Sequence, residues 1–249
     1  MEGPGGAAER VVGACILPFC TEPQHGRIYF LLGKERQTSK WMRASELWSA
    51  FGGRPLSRAE SAEETAAREF VEESSCMVKF FAHDTLPRTA HADIADALKR
   101  REYKFSIRFA TTSAHGGTKV YVVFVCQIPW DPECLNRFAA HRRAVLKRCA
   151  ATEEEGGGRE EEEQHPALSR SGAHPAHFSL NKDYMEMQQL GLWSIPQLLR
   201  AVNTCGILST RGGRAERCRA SFTQHAAAVL GEFAFSMTSA VDVAAAGLN

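Results

Sequence analysis

Apolar residues in this chain fall into short runs separated by polar or glycine-containing stretches. Runs of about four to eight residues rich in β-branched and aromatic side chains are typical of strands. Residues 120–128 (VYVVFVCQI) are almost uninterrupted, which predicts a strand in the middle of a sheet. The runs that predict strands are residues 11–19, 27–33, 77–81, 103–109, 120–128, 178–180 and 185–193, and a turn at 24–26 predicts that the first two form a hairpin.

Other segments carry helical spacing or helix-start residues. Asp131-Pro132-Glu133 combines an N-cap, a proline at the first helical position and an acid that complements the helix dipole. The predicted helices are residues 61–74, 93–101, 131–149, 194–202 and 220–235. Strands and helices mixed in this way predict a single α/β domain.

Composition changes sharply within one region, residues 152–173. Residues 153–163 hold seven glutamates and three glycines among eleven positions, which predicts a solvated, disordered insertion. We therefore expect a flexible N-terminus at 1–9, a domain at 10–235 and a tail at 236–249, with residues 131–177 forming a helix plus the acidic insertion.

Charge and cysteine usage narrow the class of protein. The 249 residues carry 30 Lys+Arg against 29 Asp+Glu, a net charge of +1 that argues against a broad basic field for nucleic acid. No apolar run reaches the roughly 18 residues of a membrane span, and the start lacks the layout of a secretory signal. The eight cysteines are dispersed without a CxxC pair, which predicts reduced and mostly buried thiols. We expect an intracellular protein, cytoplasmic by default, with nucleus and mitochondrion left open.

The predicted helix at 61–74 carries three carboxylates close together. At about 100° per residue, Glu69, Glu72 and Glu73 fall within one arc, and apolar residues fall on the opposite side. Such a set is either a solvated face or a site for a cation, and oxygen ligands suit Mg²⁺. Arg68 can pair with one carboxylate and orient it. The preceding Gly52-Gly53 allows a tight turn or close approach of a ligand.

These residues together resemble the Nudix box, Gly-x5-Glu-x7-Arg-Glu-U-x-Glu-Glu-x-Gly-U, where U is a bulky aliphatic residue. Glu60, seven residues and then Arg68-Glu69-Phe70-Val71-Glu72-Glu73 keep that spacing, and the likeness covers residues 53–76. A weaker likeness to larger eukaryotic and large-virus members extends over residues 10–235. The chain departs from the motif at both glycines and at both aliphatic positions. Arg54 stands where the first glycine belongs, one residue after Gly53, and Ser75 replaces the second glycine. Phe70 and Cys76 take the two U places.

The resemblance implies an α/β/α sandwich around a mixed sheet, with a long insertion here. It also implies hydrolysis of a nucleoside diphosphate linked to another moiety, with Mg²⁺ or Mn²⁺ as cofactor. The implied metal ligands are Glu69, Glu72, Glu73, Glu60 through water and, from outside the box, Glu186; the implied catalytic residues are Glu69 as base, Arg68 and Glu72.

Substrate contacts are assigned to residues near the box in the chain. Gly52 and Gly53 are expected to approach the ligand closely, while Lys34, Arg36 and Arg54 are candidates for phosphate binding, although each alone is better explained as an ordinary surface cation.

Three functional hypotheses remain open. The first is a hydrolase of small nucleotide derivatives. The second is an enzyme of the same chemistry acting on capped RNA, for which the basic helix 131–149 is the only support, since that helix could instead neutralise the acidic insertion. The third is a Nudix-fold protein without turnover that serves as a binding or scaffold subunit. The sequence leaves the oligomeric state open.

Overall fold

A mixed seven-stranded sheet forms the centre of the computed structural model, which describes residues 9–36, 46–83, 91–112, 117–155, 186–209 and 215–246. Its strands are β1 (Arg10–Thr21), β2 (Ile28–Glu35), β3 (Trp48–Ser49), β4 (Phe51–Gly53), β5 (Phe105–Thr112), β6 (Thr118–Gln127) and β7 (Met187–Ser194). β8 (Ile207–Ser209) and β9 (Ala215–Arg217) form a separate antiparallel pair.

β1 is the central strand of the sheet. It pairs parallel with β6 and antiparallel with β2 and β4, while β7 and β3 extend the sheet from β2 and β5 lies beside β6. The β1–β2 hairpin confirms the predicted turn, and the buried β6 confirms the predicted inner strand. The register of β4 on β1 sets Gly52 opposite Cys15 and Gly53 opposite Ala14, which fixes the backbone just before the box helix.

Helices cover both faces of the sheet. They are α1 (Ala62–Glu73), α2 (His91–Lys99), α3 (Glu133–Glu155), α4 (Ile195–Asn203) and α5 (Ala220–Ala246). Phe70 of α1, Leu98 of α2 and Phe138 of α3 are buried in one apolar cluster. Leu198 of α4 and Phe233 of α5 are buried in the other. The predicted α/β/α sandwich around a mixed sheet is therefore confirmed.

Several predicted elements differ in the structure. Residues 77–81 are not a strand. The chain leaves α1 through two residues with positive φ, and Val78 and Phe80 then pack into the core without strand pairing. The Met77 carbonyl accepts a hydrogen bond from Arg137 instead. α3 continues past residue 149 to Glu155, and α5 continues past residue 235 to Ala246. The run 178–180 lies outside the described residues, as does the part of the insertion beyond 155.

Seven cysteines of the described part of the chain are free thiols: Cys15, Cys20, Cys76, Cys126, Cys134, Cys205 and Cys218. Cys15, Cys20, Cys126, Cys134 and Cys218 are buried, as the sequence predicts, while Cys205 is exposed. Burial raises the pKa of the Cys20 and Cys218 thiols to about 12, so they act as small apolar side chains. Across the described parts of the chain, no helix combines the length and the apolar character needed to span a bilayer.

Candidate functional site

Local sequence fixes where α1 begins. The Ser61 hydroxyl accepts from the Glu64 N–H at 3.1 Å, and the Glu64 carboxylate accepts from the Ser61 N–H at 2.9 Å, which completes a capping box. Phe70 then packs edge-on against Phe51 of β4, with ring centroids 5.3 Å apart. The start and the rotation of α1 are thus set by Ser61, Glu64 and Phe70, none of which is a predicted site residue.

α1 ends in a Schellman turn. The Cys76 N–H donates to the Val71 carbonyl and the Ser75 N–H donates to the Glu72 carbonyl. Ser75 has φ +53° and Cys76 has φ +55°, both in the left-handed region. Ser75 thus adopts, at a cost, the conformation that the glycine of the motif adopts freely.

Arg68 is the hub of the box. Its Nε donates to Glu60 Oε1 at 2.9 Å, and one terminal nitrogen donates to Glu69 Oε1 at 2.9 Å and to Glu72 Oε2 at 3.1 Å. The other terminal nitrogen donates to the Arg54 carbonyl at 2.9 Å. Although burial opposes its charge, the Glu60 and Glu69 carboxylates raise the pKa of Arg68. Arg68 therefore stays charged and orients three glutamates at once.

The loop that precedes α1 joins the same network through its backbone. The Arg54 carbonyl contacts Arg68, whereas the Arg54 residue as a whole is exposed. The second oxygen of Glu60 accepts a hydrogen bond from the Leu56 N–H. Glu60 therefore links the loop to Arg68.

Glu69 lies directly against Gly53. A Cβ atom at position 53 would stand 2.2 Å from Glu69 Oε1 and 2.4 Å from its Cδ. A Cβ at Gly52 would instead meet the Cys15 Cβ at 2.2 Å and the Ala14 carbonyl at 2.5 Å. Both positions require glycine, the first because of a carboxylate and the second because of a neighbouring strand.

Glu73 is separated from the Arg68 network. Its Oε2 accepts from the Gly52 N–H at 2.7 Å, and the residue is 5% exposed. Burial raises the pKa of Glu73 well above its ordinary value, and the charges of Glu69 and Glu186 raise it further, against the effect of the Gly52 hydrogen bond. The three box glutamates thus divide into a pair on Arg68 and one buried carboxylate.

Two further carboxylates act on Glu73 from other elements. Glu186, predicted from the resemblance, immediately precedes β7, and its carbonyl accepts from the Arg36 N–H at 2.6 Å. Glu35, which the sequence analysis missed, ends β2; its carboxylate accepts from the Ser49 hydroxyl at 3.2 Å and pairs with Arg219 at 2.6 Å. Charged residues from distant parts of the chain thus converge on the end of α1.

The cations predicted to bind phosphate lie in different settings. Lys34 forms an ion pair of 2.6 Å with Glu216 in which both side chains are nearly buried, at 11% and 12% exposed. Arg36 is exposed at the end of β2, beside Arg142 of α3, which donates to the Met187 carbonyl at 2.6 Å. Burial and then the charge of Arg36 lower the pKa of Arg142.

The basic helix α3 is only partly available to a ligand. Arg137 pairs with Asp131 at 2.6 Å and is committed near the start of the helix. Arg143, Lys147 and Arg148 are exposed further along.

The donor chemistry of the site suits a hard divalent cation. Glu69, Glu72, Glu73 and Glu186 carry carboxylate oxygens. Burial is the main cause of the raised pKa of Glu73, and the charges of neighbouring carboxylates, which a cation would neutralise, raise it further. Within the described ranges, no three His, Cys, Asp or Glu side chains already form a group that could hold a metal ion. Arg68 instead engages one oxygen each of Glu60, Glu69 and Glu72.

Comparisons with known proteins identify similar solved structures. No family model matches the chain, and no curated protein matches it either. A C. elegans Ap4A hydrolase binary complex is 13% identical, with 91% of this chain and 97% of that chain covered and a TM-score of 0.39. A mutT/nudix family protein from Listeria innocua is 15% identical, with 94% and 99% covered and a TM-score of 0.39. A Nudix hydrolase from M. smegmatis, RenU, is 14% identical, with 58% and 89% covered and a TM-score of 0.33.

Proposed function

We propose that this chain is a divalent-metal-dependent hydrolase of the Nudix type, which cleaves the diphosphate linkage of a nucleoside diphosphate joined to another group. The observation that carries the proposal is the Arg68 hub. One guanidinium holds Glu60, Glu69 and Glu72, the residues whose spacing matches the box. A merely solvated acidic helix face has no need of such a network, because water would satisfy the carboxylates separately.

Charge arithmetic supports a role for a metal. A diphosphate brings several negative charges toward Glu69, Glu72 and Glu73, so it can bind there only when a cation lies between the two sets of oxygens. When bound, Mg²⁺ or Mn²⁺ would polarise the phosphoryl oxygens and acidify a water molecule. Glu69, Glu72, Glu73 and Glu186 would hold it, with Glu60 contributing through water.

The chain's own residues have separable tasks in this proposal. Glu69 is the candidate base that the motif implies, and its carboxylate lies directly against Gly53 of the preceding loop. Arg68 positions Glu69 and Glu72 and is fully engaged with them, so it is not assigned to the substrate. Glu73 is kept from solvent, where its charge has the greatest effect on a bound cation.

The altered glycines do not argue for a protein that has lost turnover. Ser75 still takes the left-handed conformation that the motif requires, and Gly53 still makes room for Glu69 although it stands one place early. Both departures leave the box carboxylates in place.

The experiment is a turnover screen with Mg²⁺ and Mn²⁺ over nucleotide sugars, dinucleoside polyphosphates, CoA, NADH and capped RNA. Glu72→Gln removes one carboxylate charge from the hub, and we expect turnover to fall by about two orders of magnitude or more with little change in thermal stability. Glu63→Gln is the matched control, since Glu63 lies in the first turn of the same helix. Equal rates for wild type and Glu72→Gln, or equal losses in both variants, would contradict the proposal.

A further inference from the structure

Three cations around the acidic site, Arg68, Lys34 and Arg219, differ in the number of contacts they make and in their exposure. Arg68 makes four contacts, with three carboxylates and the Arg54 carbonyl. Lys34 is nearly buried in its pair with Glu216. Arg219 pairs with Glu35 through a single nitrogen, and its side chain is 49% exposed. Of these three cations, Arg219 is the one that a ligand can reach.

The backbone of Arg219 is firmly held although its side chain is half exposed. Its N–H donates to the Trp48 carbonyl at 3.0 Å, and its own carbonyl accepts from the Thr223 N–H at 3.0 Å in the first turn of α5. Because this backbone is already fixed, a ligand that binds the guanidinium of Arg219 loses little free energy to ordering of the backbone.

The partner of Arg219 belongs to the acidic site. Glu35 lies opposite Met187 in the β2–β7 pairing, one residue from Glu186, and its side chain is only 16% exposed. Its charge also acts on Glu73. Its second oxygen accepts from the Ser49 hydroxyl, so Glu35 would keep a hydrogen bond if Arg219 turned away. The Arg219–Glu35 pair thus stands at the edge of the site and can open without leaving Glu35 unpartnered.

We propose that Arg219 binds a phosphate group of the substrate and that Glu35 holds its guanidinium in place while the site is empty. The inference rests on the proposed function, because it assigns the substrate phosphates to the edge of the same site. A guanidinium presents planar, paired donors that match two phosphate oxygens, and a phosphate carries more charge than the single carboxylate it displaces. Arg219 is thereby a specificity residue for phosphate, a role for which the sequence analysis offered Lys34, Arg36 and Arg54 as candidates.

The alternative is that the ion pair only ties α5 to β2. Under that alternative, removal of either partner has the same effect, since a pair is lost in both cases. As a phosphate receptor, Arg219 gives the opposite pattern: loss of the arginine weakens phosphate binding, whereas loss of Glu35 removes the group that competes with the phosphate.

The test is calorimetric titration of the full chain with α,β-methylene-ADP and Mg²⁺, a probe whose bridging carbon resists hydrolysis. We expect Arg219→Ala to weaken binding by about tenfold or more and Glu35→Gln to leave it unchanged or tighten it. Arg217→Ala, an exposed arginine on β9, is the matched control and should bind like wild type. In the double variant, any gain from Glu35→Gln should disappear, which separates release of Arg219 from a general loss of negative charge.

Equal weakening by Arg219→Ala and Glu35→Gln would overturn the inference, as would wild-type affinity in Arg219→Ala or no binding of the probe to the wild-type chain. The proposed hydrolase is judged separately, by the turnover screen. Binding through Arg219 without turnover of any substrate would refute the hydrolase and retain the phosphate receptor. Turnover in the screen together with probe binding that does not depend on Arg219 would support the hydrolase and refute the phosphate receptor.

Discussion

A methyl group at position 53 would collide with the carboxylate of Glu69. The Cβ of Gly53→Ala would lie 2.2 Å from Glu69 Oε1, whereas ordinary contacts begin at 3.4 Å, so the carboxylate must move by about 1.2 Å. A displacement of about 1 Å in a catalytic group can cost about 100-fold in rate. We therefore expect Gly53→Ala to lose about two orders of magnitude in kcat.

The same substitution should hardly affect folding. The obstacle is the end of a flexible side chain, so Glu69 can swing aside, and Arg68 keeps its contacts with Glu60, Glu72 and the Arg54 carbonyl. Gly52→Ala provides the contrast, because its Cβ would meet the Ala14 carbonyl and the Cys15 Cβ of β1. Overlap with a central strand costs about 1–3 kcal/mol.

Two measurements separate the variants. Turnover of the substrate found in the screen should fall sharply in Gly53→Ala, and the melting temperature should fall mainly in Gly52→Ala. Wild-type kcat in Gly53→Ala would refute the assignment of Glu69 to the reaction. A loss of thermal stability in Gly53→Ala as large as in Gly52→Ala would refute the idea that its neighbour is merely a movable side chain.

Three further predictions concern stability. Ser75→Gly should stabilise the fold by about 1 kcal/mol, because glycine adopts the left-handed conformation without a side-chain clash. Glu216→Gln should destabilise it by about 3 kcal/mol, because Lys34 then remains charged and nearly buried without its counter-ion. The hydrogen bond from Lys99 holds the pKa of Glu64 at about 2, below its ordinary 4.5. Glu64 therefore stabilises the fold above pH 4.5 and loses this effect as the pH falls through 2. Glu64→Gln should be less stable than wild type at neutral pH, and the difference should close between pH 4.5 and 2.

Thermal unfolding, followed by circular dichroism, checks all three. A lower melting temperature in Ser75→Gly would contradict the Schellman geometry at the end of α1. If Glu216→Gln is no less stable than wild type, or if a Lys34→Met/Glu216→Met double variant is less stable than Glu216→Gln, the buried-charge explanation is wrong. A pH-independent difference for Glu64→Gln would show that its carboxylate does not titrate with folding.

Local features of the site were predictable because they depend on spacing within one helix. The start of the helix near residue 61, the apolar position Phe70 and the sequence Arg68-Glu69 all follow from helical periodicity and the motif. The division of the glutamates was not predictable. A helical wheel places Glu73 beside Glu69, but only the position of β4 shows that Glu73 turns to the Gly52 N–H.

Features built from distant segments could not be predicted from the sequence. Glu35 and Arg219 are 184 residues apart, and nothing near either one indicates the other. Lys34 looks like a free cation in the sequence because its counter-ion, Glu216, lies on a short strand that the pattern does not predict. The apolar run at 77–81 predicts a strand by composition, whereas the positive φ values before it direct the chain into the core unpaired.

Trp48 contacts a segment of the chain, residues 216–219, that is synthesised much later than Trp48 itself. Its indole N–H donates to Glu216 at 3.2 Å, its carbonyl accepts from the Arg219 N–H, and it bridges to Cys218. A ribosome makes the box helix long before it makes these partners. During synthesis, Trp48 therefore lacks these contacts until about residue 219 has emerged, and nascent chains halted before that point would carry every box glutamate, with β3 paired to β2 but without the Trp48 anchor.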